Sequence, residues 1–395
     1  MKTIILTAGL FFASLTLNAQ DAQAPARSVL ALIEENNTTL QSLREAAGAQ
    51  KLENRAGIFP DNPEVGFSYL WGNPASTGNR TDFSLVQRFD IPTITGMKRS
   101  LAAGRDRLAE WQYKAARMDI LLQARRYCIE LAWYNALAEE LDARLGHAAA
   151  IASACKERLD RGDASLVEYN KAELNLSTLR GEIARAGVER EALLSHLERL
   201  NGGIPVELAD TRLNEGELPP DFDAWYTQAG EKSPVLAWVK QEVELGKKQV
   251  SLSRAMALPS FSAGYMSEQV VGQRYGGITL GVSVPLWGNR NRVRQAKAAL
   301  KAAEARQTDS RQQFYSRLQG LYKRAQGLRK TAAAYRQALL QAGNAALLGK
   351  ALEAGEISLL QYLQEMSLYY NTVDRALEAE KEYSLALAEL WAVEL

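Results

Sequence analysis

Two stretches of the sequence carry the same landmarks at the same spacing. In each, a proline closes an alternating apolar segment, and a glycine and a serine follow about 70 residues later. The paired landmarks all lie 193 residues apart: Pro92 and Pro285, Gly162 and Gly355, Ser165 and Ser358. A constant offset over this length indicates two copies of one long element that tolerates no insertion between its strand and its glycine turn.

Each stretch predicts a very long helix. Residues 95–160 contain no proline and keep a helical pattern of apolar residues. At 1.5 Å per residue they form a rod of roughly 100 Å. Residues 166–200 return with apolar residues at a period of about 3.5, which is typical of coiled-coil packing.

The first predicted repeat spans residues 20–200. It contains a helix over 28–57, a β-hairpin over 64–92 and a helical hairpin with its tip at 158–165. The polar, proline-containing residues 201–232 are predicted to form an equatorial excursion that packs outside the rod.

The second predicted repeat spans residues 233–395, with a helix over 233–258, a β-hairpin over 260–285 and a helical tip at 351–358. Helix 233–258 is expected to lie above helix 166–200. The first helix of the chain is expected to lie above the C-terminal helix, of the same protomer or of the next one.

The two predicted hairpins have one apolar face rich in aromatic residues. That face carries Val65, Phe67, Tyr69, Trp71, Phe83, Leu85, Phe89 and Ile91 in the first hairpin, and Phe261, Ala263, Tyr265, Ile278, Leu280, Val282 and Val284 in the second. Gln87 is the exception to the shared inside-outside pattern.

Strands of about 8 to 11 residues with aromatic-rich apolar faces are typical of membrane β-barrels. Four strands cannot close a barrel, and open edges in lipid leave backbone groups unpaired. Several chains are therefore expected to share one barrel. Two chains would give eight strands with a filled interior, and three would give twelve with a lumen. The expected fold class is thus an α+β membrane protein, with the long helices projecting from the barrel as a tube.

Residues 1–19 have the plan of a secretory signal peptide, with Lys2, an apolar run over 4–17 and a small residue, Ala19, at the cleavage site. The residue directly after this leader is Gln20 rather than cysteine, so no lipid anchor is expected. Cys128 and Cys155 lie on one predicted helix, too far apart to pair, and are expected to be small buried residues.

The composition gives little support for catalysis or for binding of nucleic acid. The formal net charge is +1, without the basic face that nucleic acid requires. His147 and His196 are isolated, and no nucleophilic triad or phosphate-binding loop occurs. No enzyme activity, cofactor or resident metal is therefore expected.

In the order of these features and in the 193-residue repeat, the chain resembles the TolC family of outer-membrane efflux proteins. The residues that carry the resemblance are the strand-proline-helix junctions at Pro92 and Pro285, the alanine-rich run over 294–300 and the duplicated tip turns. The resemblance implies a homotrimer with a twelve-stranded barrel in the outer membrane and a helical periplasmic tunnel. It also implies two partners: a periplasmic membrane-fusion adaptor and an inner-membrane pump, expected to be of the resistance-nodulation-division type.

The resemblance further implies that the tips dock the adaptor. Many family members carry Arg-Leu, a glycine turn and then Ser at each tip. The expected docking residues are Arg158, Leu159, Gly162 and Ser165 in the first copy and Leu352, Gly355 and Ser358 in the second. Ala351 replaces the arginine in the second copy, so unequal contributions are expected. The glycines and serines also serve as helix caps, which is compatible with docking.

Some family members close the tunnel with aspartate rings just past the second turn. The matching positions here are Gln361 and Gln364, so this acidic ring is expected to be absent. Glu365 and Glu168 are candidate carboxylates near the aperture, and solvated outward-facing charges are an equal alternative.

The exported substrate stays open between heavy-metal cations and drugs. The junction from Pro92 to Arg99 resembles the cation-efflux branch more than the drug branch. Two alternatives are a secreted or periplasmic coiled-coil adhesion protein without a barrel and a type I protein secretion duct. The former fits the helices but leaves the four phase-matched strands unexplained.

Overall fold

The structure is a computed structural model that describes residues 24–59, 61–89, 91–211, 216–285, 287, 291–342 and 345–395. The predicted signal peptide, its cleavage site and the expectation about a lipid anchor lie outside these residues. So does part of the second strand-helix junction.

The elements follow the predicted order. The first half contains α1 Ala24–Asn36, α2 Thr38–Ala56, β1 Glu64–Leu70, β2 Arg80–Phe89, α3 Pro92–Arg161 and α4 Leu166–Leu200. The second half contains α5 Phe222–Lys232, α6 Pro234–Ala255, β3 Ser260–Val270, β4 Gln273–Ser283, α7 Arg292–Ala342, α8 Ala345–Glu353 and α9 Leu359–Leu390. Short 3₁₀ helices lie at Ala75–Thr77 and Trp391–Glu394. Long helices that carry a four-stranded sheet confirm the predicted fold class.

The helix α3 has 70 residues, which corresponds to roughly 105 Å. It begins at Pro92, whose missing N–H is no loss in the first turn, and it runs without a break until Gly162. Its Cys128 and Cys155 are both buried and form no disulfide with each other, as the sequence predicts.

The four strands form one antiparallel sheet in the order β1-β2-β3-β4, with β1 and β4 at its edges. Val65 pairs with Leu85, Leu85 with Tyr265, and Tyr265 with Ile278, so the apolar residues form rows across a single face. This face is exposed in the protomer, and Ile278 and Leu280 are 83% and 81% accessible.

Gln87 interrupts the apolar face for a local reason. Its side-chain amide donates to the backbone oxygens of Asp61 and Arg88 at 2.7 and 2.8 Å. The residue thus ties the chain before β1 to the end of β2. A hydrogen-bonding role explains why a polar residue occupies this position.

The helices pack side by side in a fixed order. In the half near the sheet, α3 packs between α2 and α6, and α6 packs on α7. In the other half, α3 packs between α4 and α9, and α9 packs on α7. Since β1 and β4 are the sheet edges, the elements α2, β1 and α4 lie along one side of the protomer and β4 and α7 along the other.

The stacking prediction is wrong within the protomer. The junction between α1 and α2 meets the end of α4, where the buried amide of Asn37 donates to the Leu200 oxygen at 2.7 Å. The start of α6 instead lies near the chain end, because Lys232 pairs with Glu394 at 2.7 Å. The C-terminal carbonyls of α4 need donors, and Asn37 supplies one across 163 residues.

The excursion is more structured than the sequence suggests. Its residues 222–232 form α5, which buries Trp225 and Ala229 against α7 and α9. In the part of the excursion that directly follows α4, the backbone oxygens of Leu208 and Asp210 accept hydrogen bonds from the buried side chain of Asn135 on α3, both at 3.0 Å. The excursion is therefore fastened to the helices by both apolar and polar contacts.

None of the described helices combines the length and the apolar character that a membrane-spanning helix requires.

Candidate functional site

The first tip turn joins α3 to α4 through a left-handed glycine. Gly162 has φ 81°, a conformation that costs glycine little. Its N–H donates to the Leu159 oxygen at 3.0 Å, and the Asp163 N–H donates to the Arg158 oxygen at 2.8 Å. This is a Schellman motif, which satisfies two of the last carbonyls of α3.

The second tip turn repeats this geometry. Gly355 has φ 74°, its N–H donates to the Leu352 oxygen at 3.1 Å, and the Glu356 N–H donates to the Ala351 oxygen at 2.9 Å. The two turns have the same backbone bonds although one carries Arg158 and the other Ala351. Any chemical difference between the tips thus comes from side chains.

The arginine and the leucines of the two tips differ in exposure. Arg158 is exposed, and its guanidinium donates to the Asp163 oxygen at 3.2 Å. Leu159 and Leu352 are half-buried. Exposed apolar residues lie instead just after the serine caps: Leu166 and Val167, 60% and 61% accessible, in the first turn of α4, and Leu360, 49% accessible, in the first turn of α9.

Two of the aperture candidates have a local role. Ser165 and Ser358 are the N-caps of α4 and α9, and each forms a capping box with the third helical residue, Glu168 or Gln361. The Ser165 N–H donates to Glu168 Oε2 at 3.3 Å, and the Ser358 N–H donates to Gln361 Oε1 at 3.0 Å. These two side chains are therefore held at the helix starts.

The other two aperture candidates lie on the exposed face of α9. Gln364 and Glu365 are both exposed and precede the buried Met366. The structure brings all four candidates to the tip end of the chain, within one or two turns of the serine caps.

The strand-helix junctions lie at the opposite end of the long helices. Ile91 is the N-cap residue before Pro92, and the Ile94 N–H donates to the Ile91 oxygen at 2.8 Å. Ile91 packs with Ile94, Leu101 and residues of α6. Pro285 follows β4 by two residues. The two ends of α3 are thus a strand junction and a tip turn.

One polar cluster between α3 and α9 escaped the sequence analysis. Arg144 on α3 has a side chain only 4% exposed, and its two terminal nitrogens bind the Asp374 carboxylate of α9 at 2.6 and 3.2 Å. The guanidinium also lies over the Tyr370 ring at 4.5 Å from its centre. Burial raises the pKa of Tyr370 to about 12. The sequence gives one sign of this cluster: Arg144 occupies a position of α3 at which the helical pattern would place an apolar residue.

Among the described residues, no group of three or more His, Cys, Asp or Glu side chains could hold a metal ion.

Comparison with known proteins agrees with this architecture. Residues 225–393 match the family described as outer membrane efflux protein. No curated protein sequence matches the chain.

Several solved structures share the fold. A membrane protein from Pseudomonas aeruginosa is 17% identical with a TM-score of 0.77, covering 94% of this chain and 93% of that one. The CmeC outer membrane channel of Campylobacter jejuni is 17% identical with a TM-score of 0.73, covering 93% and 85%. The outer membrane protein VceC of Vibrio cholerae is 15% identical with a TM-score of 0.74, covering 93% and 95%.

These findings confirm the resemblance stated from the sequence. The family is one of efflux channels rather than of enzymes. The chain thus resembles the outer membrane efflux protein family over residues 225–393, and it shares the fold of these solved structures over nearly its whole length.

Proposed function

We propose that three copies of this chain form a passive exit duct of a tripartite efflux system. The duct crosses the outer membrane and receives its substrates from an inner-membrane pump, of the resistance-nodulation-division type, through a periplasmic adaptor. The match of residues 225–393 to the outer membrane efflux protein family supports the coarser part of this proposal, an efflux channel in the outer membrane.

The proposal rests mainly on the four-stranded sheet. Its apolar face is exposed along four consecutive strands, and its edges β1 and β4 have unpaired backbone groups. Burial of such a face in lipid is favourable only when the edges are also paired. Pairing of β4 with β1 of the next copy satisfies both needs.

The helices support the same ring. Because α2 and α4 lie on the side of β1, and α7 lies on the side of β4, one head-to-tail contact would join sheet and helices alike. Such heterologous contacts close into rings. Three copies supply twelve strands, which is enough for a lumen.

The exposed face of α4 is suited to this contact. Val167, Leu174 and Val188 lie at multiples of seven residues, with Gly181 at the intervening position, on the face opposite the buried Ala172, Leu176 and Leu179, and they are 61%, 68% and 65% accessible. A heptad stripe that points away from its own core is a typical coiled-coil seam for a second helix. We infer that α7 or α8 of the neighbouring copy covers it.

At the tips, we propose that the adaptor contacts Arg158, Leu159 and Ser165 in the first copy and Leu352 and Ser358 in the second. The exposed Leu166 and Val167 lie beside the first turn and enlarge its apolar surface. Gln361, Gln364, Glu365 and Glu168 are proposed to surround the tip-end aperture in the ring.

For the substrate we propose small molecules or ions, either heavy-metal cations or drugs. A deletion strain separates the two. Hypersensitivity to copper, zinc or cobalt salts would support cations, whereas hypersensitivity to dyes, detergents and antibiotics would support drugs.

The duct itself is tested by isolating the protein. We expect heat-modifiable migration in gels and a detergent-dependent trimer. A monomer that stays soluble in water without detergent would refute the duct and favour the coiled-coil alternative.

A further inference from the structure

The ends of α3 and α7 that adjoin the sheet are strongly basic. Residues 92–105 and 291–303 together contain seven Lys and Arg residues and no Asp or Glu, although the formal net charge of the whole chain is only +1. Arg99 and Arg292 lie 193 residues apart, so each copy of the repeat has an arginine seven residues after its proline. Both arginines are exposed. Positive charge is therefore concentrated on the surface next to the sheet.

A partly open cavity of about 480 Å³ lies among α2, α3 and α6 in this region. Lys98 and Arg105 of α3 line it one heptad apart, with Leu101 between them on the same face of the helix. The lining also contains the carboxylate of Glu53 and the side-chain amide of Gln249. Two cations thus face one carboxylate, next to an amide donor. This combination of positive charge and hydrogen-bond donors suits a phosphate group.

Apolar residues connect the cavity to the exposed face of the sheet. Ile58 lines the cavity, and the next residue, Phe59, is exposed where the chain leaves α2 for β1. Leu258 is exposed at the equivalent place between α6 and β3. Beyond these residues, Phe89 and Phe261 are exposed at the ends of β2 and β3. An apolar surface therefore leads from the sheet towards a basic cavity, which is the arrangement that a phospholipid presents in reverse.

The distance of the cavity from the strands matches the depth of lipid headgroups. Lys98 lies six residues after Pro92, which is roughly 9 Å along the axis of α3. The headgroup layer extends about 5 to 8 Å beyond the hydrocarbon on each side of a bilayer. The long side chains of Lys98 and Arg105 bridge the remaining distance, because Lys and Arg extend their charged ends towards a membrane surface.

We propose that this cavity binds the headgroup phosphate of an anionic phospholipid from the leaflet that meets the helices. Lys98, the cation nearer to the sheet, binds the phosphate, and Arg105 extends its guanidinium towards the same headgroup. Gln249 donates to the headgroup oxygens, and the acyl chains lie along the apolar face of the sheet. Arg99 and Arg292 attract further anionic lipid to the surrounding surface. The inference rests on the proposed duct, because it requires the sheet to lie in a bilayer.

The test uses the full-length protein reconstituted in phosphatidylcholine vesicles that contain a trace of spin-labelled lipid. Electron spin resonance separates lipid immobilised by the protein from lipid in the free bilayer. Comparing labelled phosphatidylglycerol with labelled phosphatidylcholine gives the relative association constant of the two lipids. We expect the wild type to prefer phosphatidylglycerol roughly threefold at low salt, and the preference to decrease at high salt. Equal association of the two lipids with the wild type would overturn the site.

Two pairs of substitutions separate the cavity from net charge. Lys98→Gln with Arg105→Gln removes both cations of the cavity and should reduce the preference to about 1.5-fold or less. Lys98→Arg with Arg105→Lys keeps both charges and should retain most of the preference. The matched control is Lys156→Gln with Lys171→Gln, which removes two exposed charges near the first tip, far from the sheet. If both glutamine pairs lower the preference equally, the effect comes from net charge and the cavity is not the site.

A second measurement locates the bound lipid. Phosphatidylglycerol with a photoreactive diazirine in its headgroup, incorporated in the same vesicles, should label the wild-type peptides that contain Ile58 and Gln249, as identified by mass spectrometry. Labelling that spares both peptides would overturn the site. A protein that immobilises neither lipid lies outside the bilayer, which would refute the duct and this inference with it. Normal immobilisation of both lipids without a preference would refute the lipid site and leave the duct standing.

Discussion

The exposed heptad stripe of α4 makes a quantitative prediction for Leu174→Glu. Leu174 is 68% accessible in the protomer, and full burial of a leucine contributes about 2.2 kcal/mol, so covering the exposed 68% contributes about 1.5 kcal/mol per interface. A ring of three copies repeats the contact three times, which sums to about 4.5 kcal/mol, or roughly three orders of magnitude in the association constant. Burial of the new carboxylate adds a further penalty, so this value is a lower bound.

Trimer content in detergent, measured by size-exclusion chromatography with light scattering, checks this prediction. Leu174→Glu should shift the protein to monomers at concentrations where the wild type is trimeric. Leu174→Met is the control, because it preserves apolar volume and should leave the trimer intact. If Leu174→Glu dissociates no more readily than Leu174→Met, then α4 does not form the contact between copies.

Three further changes probe the tips, the junction between α1 and α2, and the α3–α9 contact. Replacing Arg158 by Ala should cost about fivefold or more in export, measured as drug or metal resistance, whereas Ala351→Ser should cost little; equal tolerance would contradict docking at the first tip. Asn37→Ala removes the N-cap of α2 and leaves the Leu200 oxygen without its buried donor, so stability should fall by about 2 to 3 kcal/mol, seen as a lower melting temperature. Since the folded-state pKa of Tyr370 is about 12 and its ordinary value is 10.0, the folded state holds this proton more tightly. Stability should thus be intact below about pH 10 and decline towards pH 12, and melting curves of Tyr370→Phe should show a smaller decline.

The sequence predicts those parts of the fold that depend on local chemistry. Gly162 and Gly355 end their helices because few other residues accept a positive φ, and Ser165 and Ser358 start the next helices because their hydroxyls cap free N–H groups. The alternation of apolar residues likewise fixes which face of each strand is exposed. These signals lie within a few residues of the feature they specify.

Contacts between distant segments could not be predicted in the same way. Asn37 meets Leu200, and Arg144 meets Asp374, across 163 and 230 residues. A polar residue in a helical seam indicates that some partner exists, but several helices are equally available as neighbours. The sequence does not predict helix α5, because the burial of its apolar residues depends on packing against the distant helices α7 and α9.

The unequal connections of the two hairpins have a practical consequence. Val271 and Gly272 alone join β3 to β4, both with positive φ, whereas residues 71–79 join β1 to β2. Both connections lie at the end of the sheet remote from the long helices, which in the proposed duct faces the cell exterior. An epitope tag placed within Ala75–Thr77 should therefore be displayed on living cells and stained by an impermeant antibody, while the same tag between Val271 and Gly272 should abolish assembly.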